Sequence, residues 1–353
     1  MSQYAKNILI DCERMKYPHT GLYHYCLNLG KALMQIKTDD EQFHFFVPPN
    51  EVHAFGGDAK YIRQNAFHKL ISPNGMFDVW HATHQGTEYF PFKKKTKIVL
   101  TIHDLNFLYD EYKDASKKKT YVKKLQEKVN RADHITCISQ FTLNDLKQHL
   151  HLENKPTTVI YNGCNIHEME DLHQPSILPK HPFFFTIGTI TDKKNFHVLP
   201  ALLAGNKEHL LVIAGITQRQ SYQEKIMQEA TKYGVHDRVV FTGAITENDK
   251  QWYLKNCDAF LLPSLAEGFG LPVVEAMYFG KPVFLSTYTS LPEIGGDAAF
   301  YFDSFDKEAM NEVLQNGLKR YHDNHMKTTV MKRAAIFNWM NAAQQYNDIY
   351  LSV

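Results

Sequence analysis

No run of apolar residues in this chain approaches the roughly 18 needed to cross a bilayer. The amino terminus offers only Ile8, Leu9 and Ile10 before Asp11, far short of the apolar core of a secretion signal. These absences point away from a spanning helix and from secretion, and leave binding to a membrane surface open. Cysteine is scarce too: Cys12, Cys26, Cys137, Cys164 and Cys257 are scattered, odd in number and form no C-x-x-C pair. They read as reduced core residues of a cytosolic protein, with no disulfide framework. Excess charge is also missing. With 39 basic and 38 acidic side chains and a net charge of +1, the chain has no overall footprint for nucleic acid.

At 353 residues the chain exceeds one ordinary core, so two domains are expected. Strand-like and helix-like segments alternate almost throughout, the pattern of parallel sheets with crossover helices. Strands are expected at 7–12, 43–49, 77–83, 96–104, 133–139 and 157–163. A helix at 22–37 aligns Leu22, Cys26, Leu29, Leu33 and Ile36 on one stripe, and another at 142–149 follows a Ser139 cap. The polar, proline-bearing stretch 166–182 reads as a linker. Strands resume at 183–189, 209–215, 238–243, 259–264, 281–286 and 298–303, with helices at 221–233, 248–256 and 307–321, and from 328 to about 351. The fold class is α/β, two doubly wound Rossmann-like domains over 1–168 and 169–335, with a ligand expected in the cleft facing the carboxyl ends of both sheets.

The stretch PSLAEGFGLPVVEAM, Pro263 to Met277, sets Gly268 and Gly270 at the mouth of a short helix. Unpaired backbone N–H groups and the helix dipole make such a mouth an anion cradle. Pro272 suits the first turn and Gly280 the end. Glu267 and Glu275, eight positions apart, would repel a phosphate unless they hold something else. Glu275 is expected in the first turn, where a carboxylate serves equally well as a simple cap. Val273 stands where the dinucleotide fingerprint G-x-G-x-x-G needs its third glycine, and ILIDCERMKYPHTG lacks that fingerprint as well. A nicotinamide-dependent dehydrogenase is the poorer reading.

The flanking segments carry a resemblance. Glu267 to Glu275 matches E-x7-E; Gly280, Pro282, Val283 and Ser286 match G-x-PV-x-x-S; Leu291, Pro292, Glu293, Gly296, Asp297 and Ala298 match LPE-x-x-GD-A. FTIGTITDKKN is similar to G-T-x-x-x-R-K-N, with Lys193 in place of the arginine and Lys194 and Asn195 matching. PHTGLYHY is similar to T-G-I-G-R-Y: Gly21 matches, and Tyr23 and His24 depart from the glycine and arginine. TIHD brings His103 to a strand end, while Ser139 and the Asn162–Gly163 pair also match but read locally as a cap and a turn. Together these resemble the retaining glycosyltransferases of family 4, with the GT-B fold, and the HDL triplet from His103 to Leu105 looks most like their mannosyltransferases.

The resemblance implies roles. Glu275 would bind ribose hydroxyls and Glu267 the donor-sugar hydroxyls. The backbone of Phe269, Gly270 and Leu271 would meet sugar or diphosphate, with Gly21 also approaching the donor. Lys194, with Lys193, would neutralise the departing diphosphate, and His103 would position the sugar. Residues 336–353 would form the family's last helix, crossing back to the first domain. The chain has no D-x-D, the acidic pair with which other glycosyltransferases hold a divalent ion. The histidines of HATH (81–84) and HTGLYH (19–24) have no cysteine or carboxylate partner at zinc spacing. No metal and no cofactor are expected. The donor would be a nucleotide diphosphate sugar, GDP-mannose ahead of a UDP-hexose, and the acceptor a saccharide or lipid-linked saccharide of lipopolysaccharide or another surface polysaccharide. The tract from Lys113 to Arg131 holds eight basic and two acidic residues, with KKKTK (93–97) just before it. It reads as a solvated helix or as a contact to an anionic membrane, the protein then being cytoplasmic and peripheral at the inner-membrane face. A sugar- or lipid-binding protein without turnover is the remaining alternative on the same scaffold.

Overall fold

The computed structural model describes residues 5–18, 20–69, 77–92, 95–109 and 113–353. They divide into two compact units, Met1–Gly163 with Asn338–Val353, and Cys164–Phe337. In the first, β1 (Lys6–Asp11) leads to α1 (Gly21–Ile36), β2 (Glu41–Val47), β3 (Lys60–Arg63), β4 (Val79–Ala82) and β5 (Lys97–Ile102). Then come α2 (Ala115–Arg131), β6 (His134–Cys137), α3 (Gln140–His149) and β7 (Thr157–Val159). The seven strands are parallel in the order β3-β2-β1-β4-β5-β6-β7. Ile8, Leu9 and Ile10 of β1 and Val99 and Leu100 of β5 are fully buried. Consecutive apolar residues are what a parallel strand covered on both faces requires. The sequence did not announce β3: this edge strand is KYIR, with Lys60 and Arg63 exposed, so it lacks an apolar run.

The second unit contains β8 (Phe183–Ile187), α4 (Pro200–Gly205), β9 (Leu210–Ala214), α5 (Gln220–Lys232), β10 (Val239–Gly243) and α6 (Glu247–Asn256). It continues with β11 (Ala259–Leu262), α7 (Leu271–Tyr278), β12 (Val283–Ser286), α8 (Leu291–Gly295), β13 (Phe300–Phe302), α9 (Lys307–Asp323) and α10 (Lys327–Ala335). Its parallel sheet runs β10-β9-β8-β11-β12-β13. Strand order reverses direction between β1 and β4 in the first sheet and between β8 and β11 in the second, and loops leaving adjacent strands part there. The stretch read as a linker lies against α6: Gln251 bonds Met169 N at 3.3 Å and His167 O at 2.9 Å, and the Tyr253 hydroxyl donates to Ile177 O at 2.5 Å.

The helix expected from 328 to 351 is two helices. Asn338 takes extended backbone angles, and its side chain accepts from Met340 N at 2.7 Å and Asn341 N at 3.4 Å, capping α11 (Trp339–Ser352). An amide that satisfies the first-turn N–H groups replaces the backbone bonds of a continuous helix. The break coincides with the change of unit, since α11 belongs to the first.

A buried hydroxyl and imidazole network fastens α11 there. Tyr346 and Tyr350, four apart, share one helix face. The Tyr346 hydroxyl lies 2.8 Å from the Tyr25 hydroxyl, 3.2 Å from Thr101 Oγ1 and 3.4 Å from Thr136 Oγ1. The Tyr350 hydroxyl lies 2.6 Å from His81 Nδ1, whose Nε2 is 2.7 Å from Thr101 Oγ1. Asn347 donates to Glu41 Oε1 at 3.0 Å. Burial holds the His81 imidazole neutral, its pKa lowered to about 3, with His103 adding to the effect.

Two outcomes follow for the first unit. Tyr346→Phe strands buried hydroxyl partners and is expected to destabilise by about 1–3 kcal/mol, read as a lower denaturant midpoint. His81 is neutral when folded, so the unfolded chain binds the extra proton as pH falls from about 6.5 towards 3. His81 therefore removes stability over that window, at up to about 1.4 kcal/mol per pH unit. The stability of wild type relative to His81→Gln is expected to decline on acidification in that range; a difference independent of pH would refute the assignment.

Candidate active site

The second unit's switch point is built by two loops. The first leaves β8 at Gly188, whose φ of +155° admits few side chains; a Cβ there would lie 3.0 Å from Lys194 Cε. The loop then tightens into a short turn over Asp192–Lys194, with Lys194 N bonded to Thr191 O at 2.9 Å and Asn195 left-handed at φ 57°. Lys194 thereby rises past the end of β8 with its stem over a glycine. The second loop leaves β11 at Pro263 and ends at Gly270, the cap of α7, where φ is +98° and only glycine is at ease.

One backbone bond joins the two loops, and three side chains from the end of β12 and the segment after it fix the second. Leu265 N donates to Lys193 O at 2.8 Å. Thr289, itself left-handed at φ 57°, accepts from Glu267 N at 3.0 Å. Ser290 Oγ donates to Glu267 O at 3.0 Å and to Phe269 O at 3.2 Å, and Ser286 Oγ donates to Ser264 O at 2.5 Å. Thr289 and Ser290 were not among the residues singled out from sequence. Their one signal is position, immediately before Leu291 and Pro292. On this platform Lys194 Nζ and Glu267 Oε1 form an ion pair, the side chains 12% and 14% exposed.

The other expected site residues fall as follows. The Lys193 side chain is exposed and its carbonyl does the tying. The Phe269 ring is buried edge-on against Phe337, with centroids 5.5 Å apart, so the ring is core. Leu271 opens α7. Glu275 was expected in the first helical turn, but it is the fifth residue of α7 and beyond the first turn. Its carboxylate, 3% exposed, is stabilised by Lys250 Nζ at 3.0 Å instead of by the dipole.

In the first unit, His103 follows β5 and is 6% exposed. Its Nε2 lies 2.8 Å from Thr83 O, and a carbonyl can only accept, so Nε2 carries the hydrogen and Nδ1 is the acceptor. Burial lowers the pKa to about 4 despite that bond, with Arg14 contributing, so the ring is neutral near pH 7. Tyr25 meets it edge-on at 4.6 Å, and Gln85 accepts from His103 N at 3.0 Å while donating to Asp104 O at 2.8 Å. Gly21 opens α1 behind the Thr20 cap. Ser139 caps α3 by accepting from Thr142 N at 3.1 Å.

A cluster that sequence reasoning passed over sits at the ends of β1 and β4. Asp11 accepts from Thr87 Oγ1 at 2.5 Å and Glu13 N at 3.0 Å, and burial pushes its carboxyl up to about 7. Arg14 donates to Gly86 O at 2.8 Å, and Lys128 to Gln85 O at 2.8 Å and Thr87 O at 2.6 Å. Burial lowers the Lys128 pKa to about 8. Lys128 and Arg131, which bonds Thr96 O at 2.7 Å, therefore turn the last turns of the basic helix inward, while Lys117, Lys119, Lys123 and Lys124 stay exposed. Lys93 and Lys94 of the preceding basic run, and His19, lie outside the described residues.

All five cysteines are free, four of them buried. Among the described residues no three His, Cys, Asp or Glu side chains are placed to share a metal ion, and no helix is long and apolar enough to cross a membrane.

Comparison with known proteins agrees with this geometry. Residues 168–332 match the family described as Glycosyl transferases group 1, and residues 40–168 match Glycosyltransferase Family 4. O-antigen chain mannosyltransferase B of Escherichia coli is 24% identical over 97% of this chain and 99% of its own length. Among solved structures, sucrose-phosphate synthase from Thermosynechococcus elongatus superposes with a TM-score of 0.74 at 19% identity, covering 98% of both chains. Anabaena HepE in complex with UDP-glucose gives 0.72 at 18% identity, covering 98% of this chain and 100% of its own. With two parallel-sheet units, a lysine–glutamate pair at the switch point of the second, and family matches that run from residue 40 to 332, the chain belongs to the family 4 glycosyltransferases of the GT-B fold.

Proposed function

We propose that the protein moves mannose from GDP-mannose to a saccharide acceptor, with retention at the anomeric carbon and without a metal ion. The observation that carries this is the Lys194–Glu267 pair, one cation and one carboxylate on adjoining switch-point loops. An ammonium has three N–H groups, so with one on Glu267 the others serve diphosphate oxygens. A carboxylate accepts at both oxygens, so Glu267 Oε2 serves sugar hydroxyls. Glu275 takes the ribose. In the reaction the bond from the anomeric carbon to the diphosphate oxygen breaks as the acceptor oxygen bonds to that carbon from the same face, and the acceptor proton passes to a leaving phosphate oxygen. Lys194, Lys193 and the N–H groups at the mouth of α7 stabilise the charge that develops. His103 is suited to positioning: its neutral ring offers Nδ1 as an acceptor to a hydroxyl, while its one hydrogen is held on Thr83 O.

Mannose is supported by the name of the E. coli relative, which spans nearly the whole chain. A UDP-hexose is the second reading, supported by the UDP-glucose held by the HepE neighbour. The O-antigen relative also supports a saccharide of a surface polysaccharide as acceptor. The exposed Lys117, Lys119, Lys123 and Lys124 of α2 support a peripheral location on the anionic cytoplasmic face of a membrane.

Purified protein offered a panel of nucleotide sugars is expected to hydrolyse or transfer from GDP-mannose fastest, with no change on adding EDTA. Preference for a UDP-hexose would replace the donor, and loss of turnover with EDTA would overturn the metal-free mechanism. Lys194→Ala is expected to lower kcat by about 10²–10³, the scale of one stabilising donor. Glu267→Ala should abolish transfer and keep nucleotide affinity; a folded variant that still transfers at the wild-type rate would remove Glu267 from the site.

A further inference from the structure

Lys250 occupies a position that folding alone does not favour. It lies in the first turn of α6, behind the Thr246 capping box, where the helix dipole opposes a cation. It is 8% exposed, with Nζ 3.0 Å from Glu275 Oε1 and 2.9 Å from Glu247 Oε2. A buried ion pair is dearly desolvated, and an apolar pair of the same volume commonly serves a core better. Burial alone would lower the lysine's pKa, yet Glu275 and Glu247 together hold it above the ordinary range, so the ammonium is charged. Two of its three donors point at these carboxylates, which leaves one for a ligand oxygen. Lys250 also occupies Glu275 Oε1, which leaves Oε2 as that carboxylate's open acceptor.

We propose that Lys250 is a nucleotide-binding residue: it holds the Glu275 carboxylate aimed, and gives its third N–H to an oxygen of the nucleoside, so that the pair grips a ribose as one donor and one acceptor. A ribose suits this chemistry because each hydroxyl both donates and accepts. The pair then reads the nucleoside half of the substrate, while Lys194 and Glu267 read the diphosphate and sugar. This rests on the reading of Glu275 as the ribose carboxylate.

The test is calorimetric titration of GDP, 2′,3′-dideoxy-GDP, UDP and pyrophosphate into wild type, Lys250→Met and Lys250→Arg. Lys250→Met is expected to weaken GDP by about tenfold or more, the scale of a hydrogen bond to a charged group. It should leave pyrophosphate within about twofold and erase most of the wild-type preference for GDP over its dideoxy analogue; Lys250→Arg should restore much of that preference. A purely structural lysine would weaken all ligands alike, or leave the ribose preference intact, and either result overturns the proposal. Should Lys250→Met fail to fold, Lys250→Leu is titrated in its place with Glu275 intact, and the same loss of ribose preference is required. Wild type that binds neither GDP nor UDP would sink the parent reading of the site itself, an outcome distinct from a tight-binding wild type with an indifferent Lys250.

Discussion

A parallel strand covered on both faces has no room for charge along its length, so its polar chemistry is displaced to the residues just beyond its carboxyl end. β8 and β11 obey this constraint with apolar or hydroxyl side chains throughout, all buried except the half-buried Ile187 at the end of β8, and each releases a loop at the point where the order of the sheet reverses. Lys194 and Glu267, 73 residues apart, meet because those two strands are neighbours. The same rule sets Asp11 at the last position of β1 and Glu13 and Arg14 beyond it, near the loop that follows β4, and sets His103 beyond β5.

Holding charged side chains at such a place needs donors and acceptors that are already committed. Thr289 and Ser290 fix the backbone of Glu267 and Phe269 from the next loop, and Thr289 accepts a left-handed conformation to do so. Backbone strain of this kind persists only where the surroundings over-determine it. In the first unit Gln85 plays the corresponding part, bonding both His103 N and Asp104 O. The network of Tyr25, Tyr346, Tyr350, Thr101, Thr136 and His81 is a different solution to burial, in which neutral groups satisfy one another and no ion is desolvated. Tyr25 belongs to both systems, since its ring also packs edge-on against His103.

Local signals were read well where one residue or one turn suffices. The Ser139 cap, the alternation of apolar strands with amphipathic helices, and Gly270 at the start of a short helix are all encoded within a few residues. Signals that depend on a partner far along the chain were read poorly. The edge strand β3 has no apolar run and exists because β2 offers it hydrogen bonds. The break at Asn338 reads as helix in a periodicity plot, because a capping amide and an exposed helical asparagine look alike in sequence.

The sequence by itself determined the two-sheet α/β plan, the loop carrying Glu267 and Glu275, and the basic pair Lys193 and Lys194, because strand burial, glycine conformation and helix signals act over short spans. Only the tertiary structure decided which of these side chains meet. It paired Lys194 with Glu267 and Lys250 with Glu275, left the Lys193 side chain exposed, and gave His103 one hydrogen-bearing nitrogen and one acceptor. The physical reason is that ion pairs and tautomers are set by distance and burial, which depend on strand order and helix packing among segments far apart in the chain.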